Sequence, residues 1–545
     1  MSKKHRRDLG SDIRFTIGLQ QLKERSVKSG AITVLDQALT TGIHLASVVI
    51  LARLLTPEDY GIVTMVTAIT GFVNLFRELG LSSATVRTQN ITHDQVSSLF
   101  WVNASLGAVI TLIIAASGPI LSWFYHKPQL TLVAAGISLT SVLNSLGTQH
   151  GALLNRQMRF GAMAVIRVSS LLVGFFSALA VALLGGTYWS LVSSSVVTAL
   201  VSTCGLWLAS GFRPAPPKKG TGVRSFIRFG ANVAGFDIVN YVHRNMDNIL
   251  IGRAWGAVQL GLYNKAYSLL MLPMSNLRYP LNRVAFPAMS RLQNEPASFR
   301  SYFMKYCTLL SFITMPIVAF LFACSEHVIR LFLGPRWGGA SKLFSILALV
   351  SFIQPVASLQ GIVQTALGKG GRLFRLGLYT GTFSVASFVC GLPWGAKGVA
   401  IGYCISTYLI LHPSLVYSLR DTPLRPTDFY KSIMKPAFAS IVMGAALTLG
   451  KNRLEGLSDA PLIVLLFLLG GMIYLGIFYL LPGGRPALVS YWGFFTILRK
   501  GTWRAVSRIW PGGSPAPSTE SPSTPPEQDD DESQAAGSPP RESRS

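Results

Sequence analysis

The amino-acid sequence predicts an all-α polytopic membrane protein with about fourteen transmembrane helices. The helices are expected to form two six-helix lobes in parallel repeat, followed by two C-terminal helices. Composition, the length of the apolar runs and an internal repeat support this fold. The 545 residues are 50% apolar and 13% charged, with a mean hydropathy of +0.43. A soluble domain carries about a quarter charged residues, so this balance is typical of a membrane protein.

Apolar runs reach the length of a membrane span at many places. Val102–Ser117, Leu171–Leu184 and Leu462–Leu481 each lie inside a stretch of about 20 residues, which crosses a bilayer as a helix. Alternation at period two is not sustained, which argues against a transmembrane β-barrel. The sequence predicts fourteen apolar segments with approximate centres at residues 43, 70, 106, 137, 173, 198, 240, 272, 313, 355, 382, 406, 442 and 471.

One pattern occurs twice at an offset of 200 residues. Ile50–Gly61 reads ILARLLTPEDYG and Leu250–Gly261 reads LIGRAWGAVQLG, so that Arg53 matches Arg253 and a glycine ends both copies. Each copy joins two apolar segments, and six segments separate the copies. Because six is even, both copies enter the membrane from the same side. The two lobes are therefore expected to be related by an axis along the membrane normal, with a cavity between them.

The charges of the loops support the count of segments. Lysine and arginine are concentrated in the N-terminal tail and in the loops after segments 6, 8, 10, 12 and 14, which lie on one side of a fourteen-span chain. The opposite side has poorly charged loops, such as Gly185–Trp189 with no charge. Because Lys and Arg accumulate in cytoplasmic loops, both termini are predicted to be cytoplasmic.

The segments and the repeat predict the domain boundaries. These are a basic cytoplasmic segment (1–29), an N-lobe (30–210), a cytoplasmic linker (211–227), a C-lobe (228–420), two further spans (421–485), a basic cytoplasmic segment (486–510) and an acidic tail (511–545). The tail is rich in proline and serine and is expected to be disordered, because it cannot bury a core.

Several classes of function are disfavoured. The net charge of +25 is distributed over short loops, where it sets topology, so no nucleic-acid partner is expected. The five cysteines lie in or near apolar segments without metal-ligand spacing and are interpreted as packing residues. Neither a P-loop nor an HExxH motif occurs, and no catalytic constellation is recognised. No cofactor, no metal and no enzymatic activity are therefore expected.

Charged residues inside apolar segments are the candidate site residues, because a charge in a span usually faces a cavity or a partner. In segment 7, Asp237 and Arg244 lie about 20° apart on a helical wheel, with Asp247 near the edge of that face. His243 projects off the face. The stripe predicts either a cavity that meets a diphosphate or a coupling cation, or an ion pair that holds the helix inside its lobe.

Further candidates lie at related positions. His44 matches Arg244 at the same offset of 200 residues. Arg53 and Arg253 are predicted near the periplasmic ends of their segments, where they could receive a diphosphate or cap a loop. Arg278, near a segment end, is expected to reach the headgroups instead. The remaining candidate cavity residues are Asp36 in segment 1, Arg167 in segment 5 and Lys265 in segment 8.

Three sequence runs resemble the polysaccharide transporter family, the flippases of O-antigen, capsule and exopolysaccharide units in the multidrug/oligosaccharidyl-lipid/polysaccharide exporter superfamily. These are Val49–Met65, Asn245–Pro273 and Leu331–Trp337. The resemblance spans roughly residues 25–485. It implies a substrate of polyprenyl-diphosphate-linked oligosaccharide, moved across the bacterial inner membrane by alternating access. It also implies contacts with membrane lipids and, as an open possibility, with polysaccharide polymerase and export machinery.

Two rival interpretations stay open. A cation-coupled, drug-type antiporter would share the two lobes but commonly has twelve spans. The predicted extra pair of spans and the basic cavity favour the flippase, because bidentate guanidinium contacts suit a diphosphate. A membrane glycosyltransferase or polymerase would need a long soluble loop with paired carboxylates, which the sequence lacks. Under either transport hypothesis, Asp36, Asp237 and Asp247 are the carboxylates that could bind a proton or Na⁺.

Overall fold

The computed structural model of the protein is nearly all helical over the residues it describes, which are 19–78, 82, 85–86, 88, 91–217, 224–451, 458–486 and 488. Two short 3₁₀ helices span Pro335–Trp337 and Leu392–Trp394. The α-helices are α1 (Leu19–Leu54), α2 (Pro57–Glu78), α3 (His93–Tyr125), α4 (Gln129–Arg156), α5 (Phe160–Leu183), α6 (Trp189–Ser210), α7 (Arg224–Arg291), α8 (Pro296–Ala323), α9 (Ser325–Phe332), α10 (Gly338–Ala357), α11 (Leu359–Ala366), α12 (Gly370–Gly391), α13 (Gly395–Leu419), α14 (Pro426–Gly450) and α15 (Asp459–Leu480).

The protein is a multi-pass membrane protein. Ten helical stretches within the described residues are long and apolar enough to cross a bilayer. One of them, Gly370–Leu419, contains both α12 and α13. Helices α2 and α7 are not among the ten stretches. The count of fourteen spans and the boundaries of the domains stay predictions.

The chain turns at the repeat-related positions 56 and 256, by two different local mechanisms. The Thr56 N–H and hydroxyl donate to Asp59 Oδ2 at 2.8 and 2.7 Å, and Pro57 opens α2, so a side-chain cap ends one helix and begins the next. Gly256 breaks α7 with φ 77° and ψ −177°, a conformation that favours glycine. This break divides α7 into a first limb (224–255) and a second limb (257–291).

The two copies of the repeat pack directly against each other. A Cβ atom added to Gly61 in α2 would overlap the carbonyl oxygen of Ala257 in the second limb of α7. A Cβ added to Gly261 would overlap the carbonyl oxygen of Pro57. Because Pro57 and Ala257 are also related by the offset of 200, the contact is reciprocal. Small residues allow such close approach of helices in membranes.

The arginines of the repeat also connect the first half of the chain (α1–α6) to the second half (α7–α13). Arg53 Nη2 donates to the carbonyl oxygen of Leu331 at 2.8 Å, and the Arg253 guanidinium lies 5.6 Å from the centroid of the Phe124 ring. Beside them, Trp337 Nε1 donates to the carbonyl oxygen of Ala52 at 2.8 Å. In this conformation both arginines hold the two halves together at the end of the molecule that carries the turns at 56 and 256.

Contacts between the halves continue deep along the helices. Tyr241 in the first limb of α7 donates from its hydroxyl to the carbonyl oxygen of Thr67 in α2 at 3.1 Å. Its repeat-related residue, Thr41 in α1, donates to Asn276 Oδ1 in the second limb of α7 at 3.2 Å. Tyr241 lies fifteen residues before Gly256, about 22 Å along the helix. The interface between the halves therefore spans most of a bilayer core.

Helices α14 and α15 pack onto the second half of the chain. The buried Asp428 at the start of α14 accepts two bonds from Arg300 in α8, from Nε at 2.9 Å and Nη2 at 2.6 Å. At the other end, His327 in α9 and Asp459 in α15 are joined by an Nδ1–Oδ1 contact of 2.9 Å. One polar contact therefore holds the start of α14, and the other, at the opposite end of the molecule, holds the start of α15.

We expect Gly61→Ala to lower the stability of the protein, because the new methyl group forces the two helices apart at a backbone contact. Overpacking of this kind costs about 1–3 kcal/mol. Gly42→Ala in α1 is the matched control, since nothing lies within 4 Å of the added Cβ. Thermal unfolding of the purified protein in detergent measures both effects.

Because the contacts at Gly61 and Gly261 are reciprocal, we also expect the effects of substitutions at the two positions to be non-additive. Separation of the helices by Gly61→Ala also makes room at Gly261, so the double variant Gly61→Ala/Gly261→Ala should lose less stability than the sum of the single variants. Additive losses, or a Gly61→Ala protein as stable as the Gly42→Ala control, would contradict the close crossing.

Candidate functional site

A charged cavity of about 470 Å³ lies within the second half of the chain. It contains two arginines, an aspartate and a histidine at the depth of the membrane-spanning helices. Its walls come from both limbs of α7 and from α10, α12 and α13. The lining residues are His243, Arg244, Asp247, Tyr267, Met271, Met274, Ser275, Arg278, Gln354, Pro355, Gly377, Thr380, Gly381, Ser384, Phe388 and Tyr403.

The break at Gly256 explains why one helix supplies both sides of the cavity. The two limbs run back along each other, so Arg244, twelve residues before the break, lies at a depth similar to that of Tyr267, eleven residues after it. Twelve residues correspond to about 18 Å, near the middle of a bilayer core of about 30 Å. The second limb then presents Met271, Met274 and Arg278 on the same face at helical spacing.

Arg244 is exposed to the cavity. Within the described residues, no hydrogen bond or ion pair engages its guanidinium. The side chain of Asp237, its predicted neighbour, lies outside the described residues, so the predicted pair of Asp237 and Arg244 stays a prediction. The structure therefore places the Arg244 guanidinium at the surface of the cavity.

Asp247 is buried beside Arg244 and is held by its own half of the chain. Its Oδ2 atom accepts from the Tyr263 hydroxyl at 2.8 Å, and its Oδ1 atom accepts from the Asn248 N–H at 2.7 Å. On the opposite wall, Gln354 Nε2 donates to the Tyr403 hydroxyl at 3.1 Å. These bonds orient the polar groups of the cavity before any ligand enters.

His243 and Arg278 both line the cavity, although the sequence predicted that neither would lie on the polar face of segment 7. His243 lines the cavity and packs directly on Gly381 of α12, where an added Cβ would overlap the imidazole ring. Arg278, expected to reach the headgroups, lines the cavity too. One helical face of the second limb of α7 lines the cavity, and its residues are Tyr267, Met271, Met274 and Arg278. Their spacing in the sequence could have indicated that Arg278 lies on this face. The position of the opposite wall, formed by α12 and α13, could not be predicted from that spacing.

Asp36 and Arg167, two candidates in the first half, pair with each other. Arg167 Nη1 lies 2.8 Å from Asp36 Oδ2 and joins α5 to α1. The carboxylate is buried, with a side-chain exposure of 8%, whereas the arginine is half exposed at 50%. Neither residue lines the charged cavity described above, and the pair supports the structural interpretation of these two charges.

The other candidates in the described part of the chain lie along the contact between the halves or on α1. Lys265 Nζ lies 3.7 Å above the centroid of the Tyr60 ring, a cation–π contact between the second limb of α7 and α2. Arg53 and Arg253 make the contacts described for the fold, so the structure supplies protein partners for both. His44 is exposed on α1. A role for these residues in binding stays a prediction.

Comparison with known proteins identifies the family. A family model described as polysaccharide biosynthesis protein matches residues 50–342, more than half of the chain. The chain belongs to this family. Its matched region contains both copies of the repeat, the crossing of α2 and α7, and Arg244.

Curated relatives cover most of the chain at low identity. The chain is 23% identical to the lipopolysaccharide biosynthesis protein WzxC of Escherichia coli over 420 residues, 76% of this chain and 84% of the relative. It is 26% identical to the teichuronic acid biosynthesis protein TuaB of Bacillus subtilis, covering 77% and 88%. It is also 26% identical to the succinoglycan biosynthesis transport protein ExoT of Rhizobium meliloti, covering 75% and 83%.

Solved structures share the fold. The lipid II flippase MurJ in an inward closed conformation superimposes with a TM-score of 0.66 at 14% identity, covering 83% of this chain and 98% of that one. An inward-facing multidrug resistance MATE family transporter gives a TM-score of 0.52 at 14% identity, covering 72% and 97%. The chain therefore shares its helical fold with these two membrane transporters.

We expect Arg167→Gln to reduce the amount of protein in the membrane, because it leaves the buried Asp36 carboxylate without its cation. Loss of one partner of a buried pair costs about 3–5 kcal/mol, and exposure of Arg167 reduces this to about 1–3 kcal/mol. Adding Asp36→Asn should restore the amount. Quantitative immunoblotting of membranes measures this, with Arg336→Gln as a control at an exposed arginine. A normal amount of the Arg167→Gln protein, combined with lost transport, would instead assign the pair to function.

Proposed function

We propose that this protein is a flippase that moves polyprenyl-diphosphate-linked oligosaccharides from the cytoplasmic to the periplasmic leaflet of the bacterial inner membrane. Membership of the polysaccharide biosynthesis protein family supports this, as do relatives named for lipopolysaccharide, teichuronic acid and succinoglycan biosynthesis. The observation that carries the proposal is the exposed Arg244 guanidinium in a cavity at the middle of the membrane-spanning helices.

The chemistry of the cavity suits a diphosphate with sugars attached. A guanidinium at the bilayer centre is costly, so it is retained where it meets water or an anion. Its planar array of donors matches phosphate oxygens in a bidentate geometry. Around Arg244, the side chains of Gln354, Thr380, Ser384 and Tyr403 offer hydrogen bonds of the kind that sugar hydroxyls make. At about 470 Å³ the cavity has the size of a small-molecule site, enough for the diphosphate and the first sugar.

Transport would proceed by alternating access of the two halves. In the proposed fourteen-span topology, the crossing of α2 and α7 lies at the periplasmic end, and both termini are cytoplasmic. The contacts of Arg53, Arg253 and Trp337 would then close the periplasmic side in this conformation. Movement of one half against the other opens that side and closes the cytoplasmic one. No covalent bond is formed or broken in this cycle, so the protein acts as a transporter and not as an enzyme.

A cation-coupled antiporter of small molecules is the competing proposal, and it shares the fold. The carboxylate of Asp247 in the cavity is the feature that favours it. That carboxylate already accepts bonds from Tyr263 and from the backbone, whereas Arg244 is exposed and makes no hydrogen bond or ion pair among the described residues. The charge presented to a ligand is therefore positive, which favours an anionic substrate over a cationic drug.

The proposed topology is tested with reporter fusions. Alkaline phosphatase, active only in the periplasm, should give no activity when fused after Arg485, and high activity when inserted after Pro393 in the turn between α12 and α13. The charge bias of the loops is the physical reason. Activity of the fusion after Arg485 would overturn the fourteen-span topology.

We expect Arg244→Gln to abolish transport while the protein reaches the membrane in normal amounts. Arg244→Lys should restore part of the activity, because the charge is kept while the bidentate geometry is lost. Loss of a bidentate contact to a charged group corresponds to about 1.5–3 kcal/mol, or about a 10- to 150-fold change in apparent affinity. The measurement is translocation of a labelled polyprenyl-diphosphate oligosaccharide in proteoliposomes.

Arg283→Gln is the matched control for this experiment. Arg283 is exposed on the second limb of α7, five residues beyond Arg278, and is not a lining residue of the cavity. It should transport at the wild-type rate. Normal transport by Arg244→Gln, or an Arg244→Gln protein that is lost from the membrane and rescued by Asp237→Asn, would refute the role of Arg244 in substrate binding.

A further inference from the structure

A second cavity, outside the charged one, is an apolar groove between α12 and α13 with a volume of about 760 Å³. A single lysine lies among its lining residues. These are Phe383, Ala386, Ser387, Cys390, Gly391, Trp394, Lys397, Gly398, Ile401, Gly402, Ile405, Ser406 and Leu409. The groove contains none of the residues that line the charged cavity, and the proposed transport function does not use it.

Glycines create the groove by bringing the two helices into backbone contact. A Cβ added to Gly398 would overlap the carbonyl oxygen of Gly391, and one added to Gly402 would lie 2.5 Å from the carbonyl oxygen of Ser387. The pair Gly398 and Gly402, spaced as in helix-dimerisation motifs, is thus occupied within the chain and is not available to a second copy. We call this line of backbone contact between α12 and α13 the seam. Larger side chains beside it, such as Phe383, Ile401 and Ile405, form the walls of the groove.

The groove has the length of one leaflet and a positive charge at one end. From Lys397 to Leu409 it extends twelve residues, or about 18 Å, close to half of a bilayer core of about 30 Å. Its floor and walls are apolar, with Phe383, Ile401 and Ile405 along its length. Lys397 is exposed at the end, and no ion pair engages it within the described part of the chain.

The end with Lys397 lies where headgroups are expected. Trp394, beside Lys397 in the groove, is 74% exposed, and exposed tryptophans concentrate at the membrane–water boundary. Trp255 Nε1 donates to the carbonyl oxygen of Leu392 at 2.7 Å, so this turn lies at the same end of the molecule as Gly256. The groove therefore begins at a membrane surface and extends toward the bilayer centre.

We propose that the groove between α12 and α13 binds one anionic phospholipid, with an acyl chain along the seam and the phosphate on Lys397. An acyl chain of one leaflet matches the length and the apolar walls. A single cation at the headgroup end selects an anionic lipid over a zwitterionic one. Attraction of about 1 kcal/mol per lysine near a membrane surface corresponds to about a fivefold preference.

Native mass spectrometry of the full-length protein in detergent tests this proposal. Phosphatidylglycerol and phosphatidylcholine with identical acyl chains are titrated separately. The wild-type protein should bind the first phosphatidylglycerol about fivefold more tightly than phosphatidylcholine. Lys397→Gln should remove this preference. Ala386→Trp, which fills the groove at an exposed position, should weaken the binding of both lipids.

The controls are Lys342→Gln, an exposed lysine at the start of α10, and Ala180→Trp, an exposed alanine on α5. Both should bind lipids as the wild type does. Equal effects of Lys397→Gln and Lys342→Gln, or of Ala386→Trp and Ala180→Trp, would overturn the proposal. So would stronger competition for the groove by a polyprenyl diphosphate than by phosphatidylglycerol, or a disulfide between Cys390 residues of two copies in oxidised membranes, which would place a second chain there.

Discussion

The backbone contact between α2 and α7 at Gly61 and Gly261 is the constraint on which the arrangement of the two halves depends. Lipid tails are as apolar as leucine, so helices in a membrane associate through close packing and polar bonds. Here the closest packing involves the same positions of both repeats, and each glycine lies against the residue that opens the other helix. The contact is therefore self-complementary, as in a symmetric dimer, although one chain supplies both sides. Any side chain at either position would change the angle and the distance between the halves.

This constraint reaches the charged cavity through α7. On the first limb, Tyr241 donates to the carbonyl oxygen of Thr67 in the other half, and Arg244, three residues later, faces the cavity. Three residues correspond to about 4.5 Å along a helix. On the second limb, Gly261 makes the crossing and Tyr267 lines the cavity less than two turns away. A ligand bound by Arg244, as proposed, would contact the same helix that holds the halves together. It would drive movement to the extent that it binds one arrangement of the halves more tightly than the other.

The sequence predicted the helical membrane fold and the importance of the repeat, because apolar length and a fixed offset are local, one-dimensional signals. It could not predict that Asp36 would pair with Arg167, since this requires α1 and α5 to be neighbours, and helix order in space leaves no trace in periodicity. The same limit applies to the cavity. Arg244 was recognisable as a charge within a span, whereas Gln354 and Tyr403 become site residues only when α10 and α13 form the opposite wall.

The two halves contribute repeat-related residues to the helix crossing, but their buried charged residues have different partners. In the first half, Asp36 and Arg167 neutralise each other inside the lobe. In the second half, Asp247 is bonded to Tyr263 and to the backbone, while Arg244 makes no hydrogen bond or ion pair within the residues that the structure describes. A guanidinium at this depth costs about 2.5–3.5 kcal/mol on insertion scales. Nothing in the packing symmetry requires that cost, since the repeat-related position carries His44. An anion bound by Arg244, as proposed for the substrate, would offset that cost, and so would the predicted ion pair with Asp237.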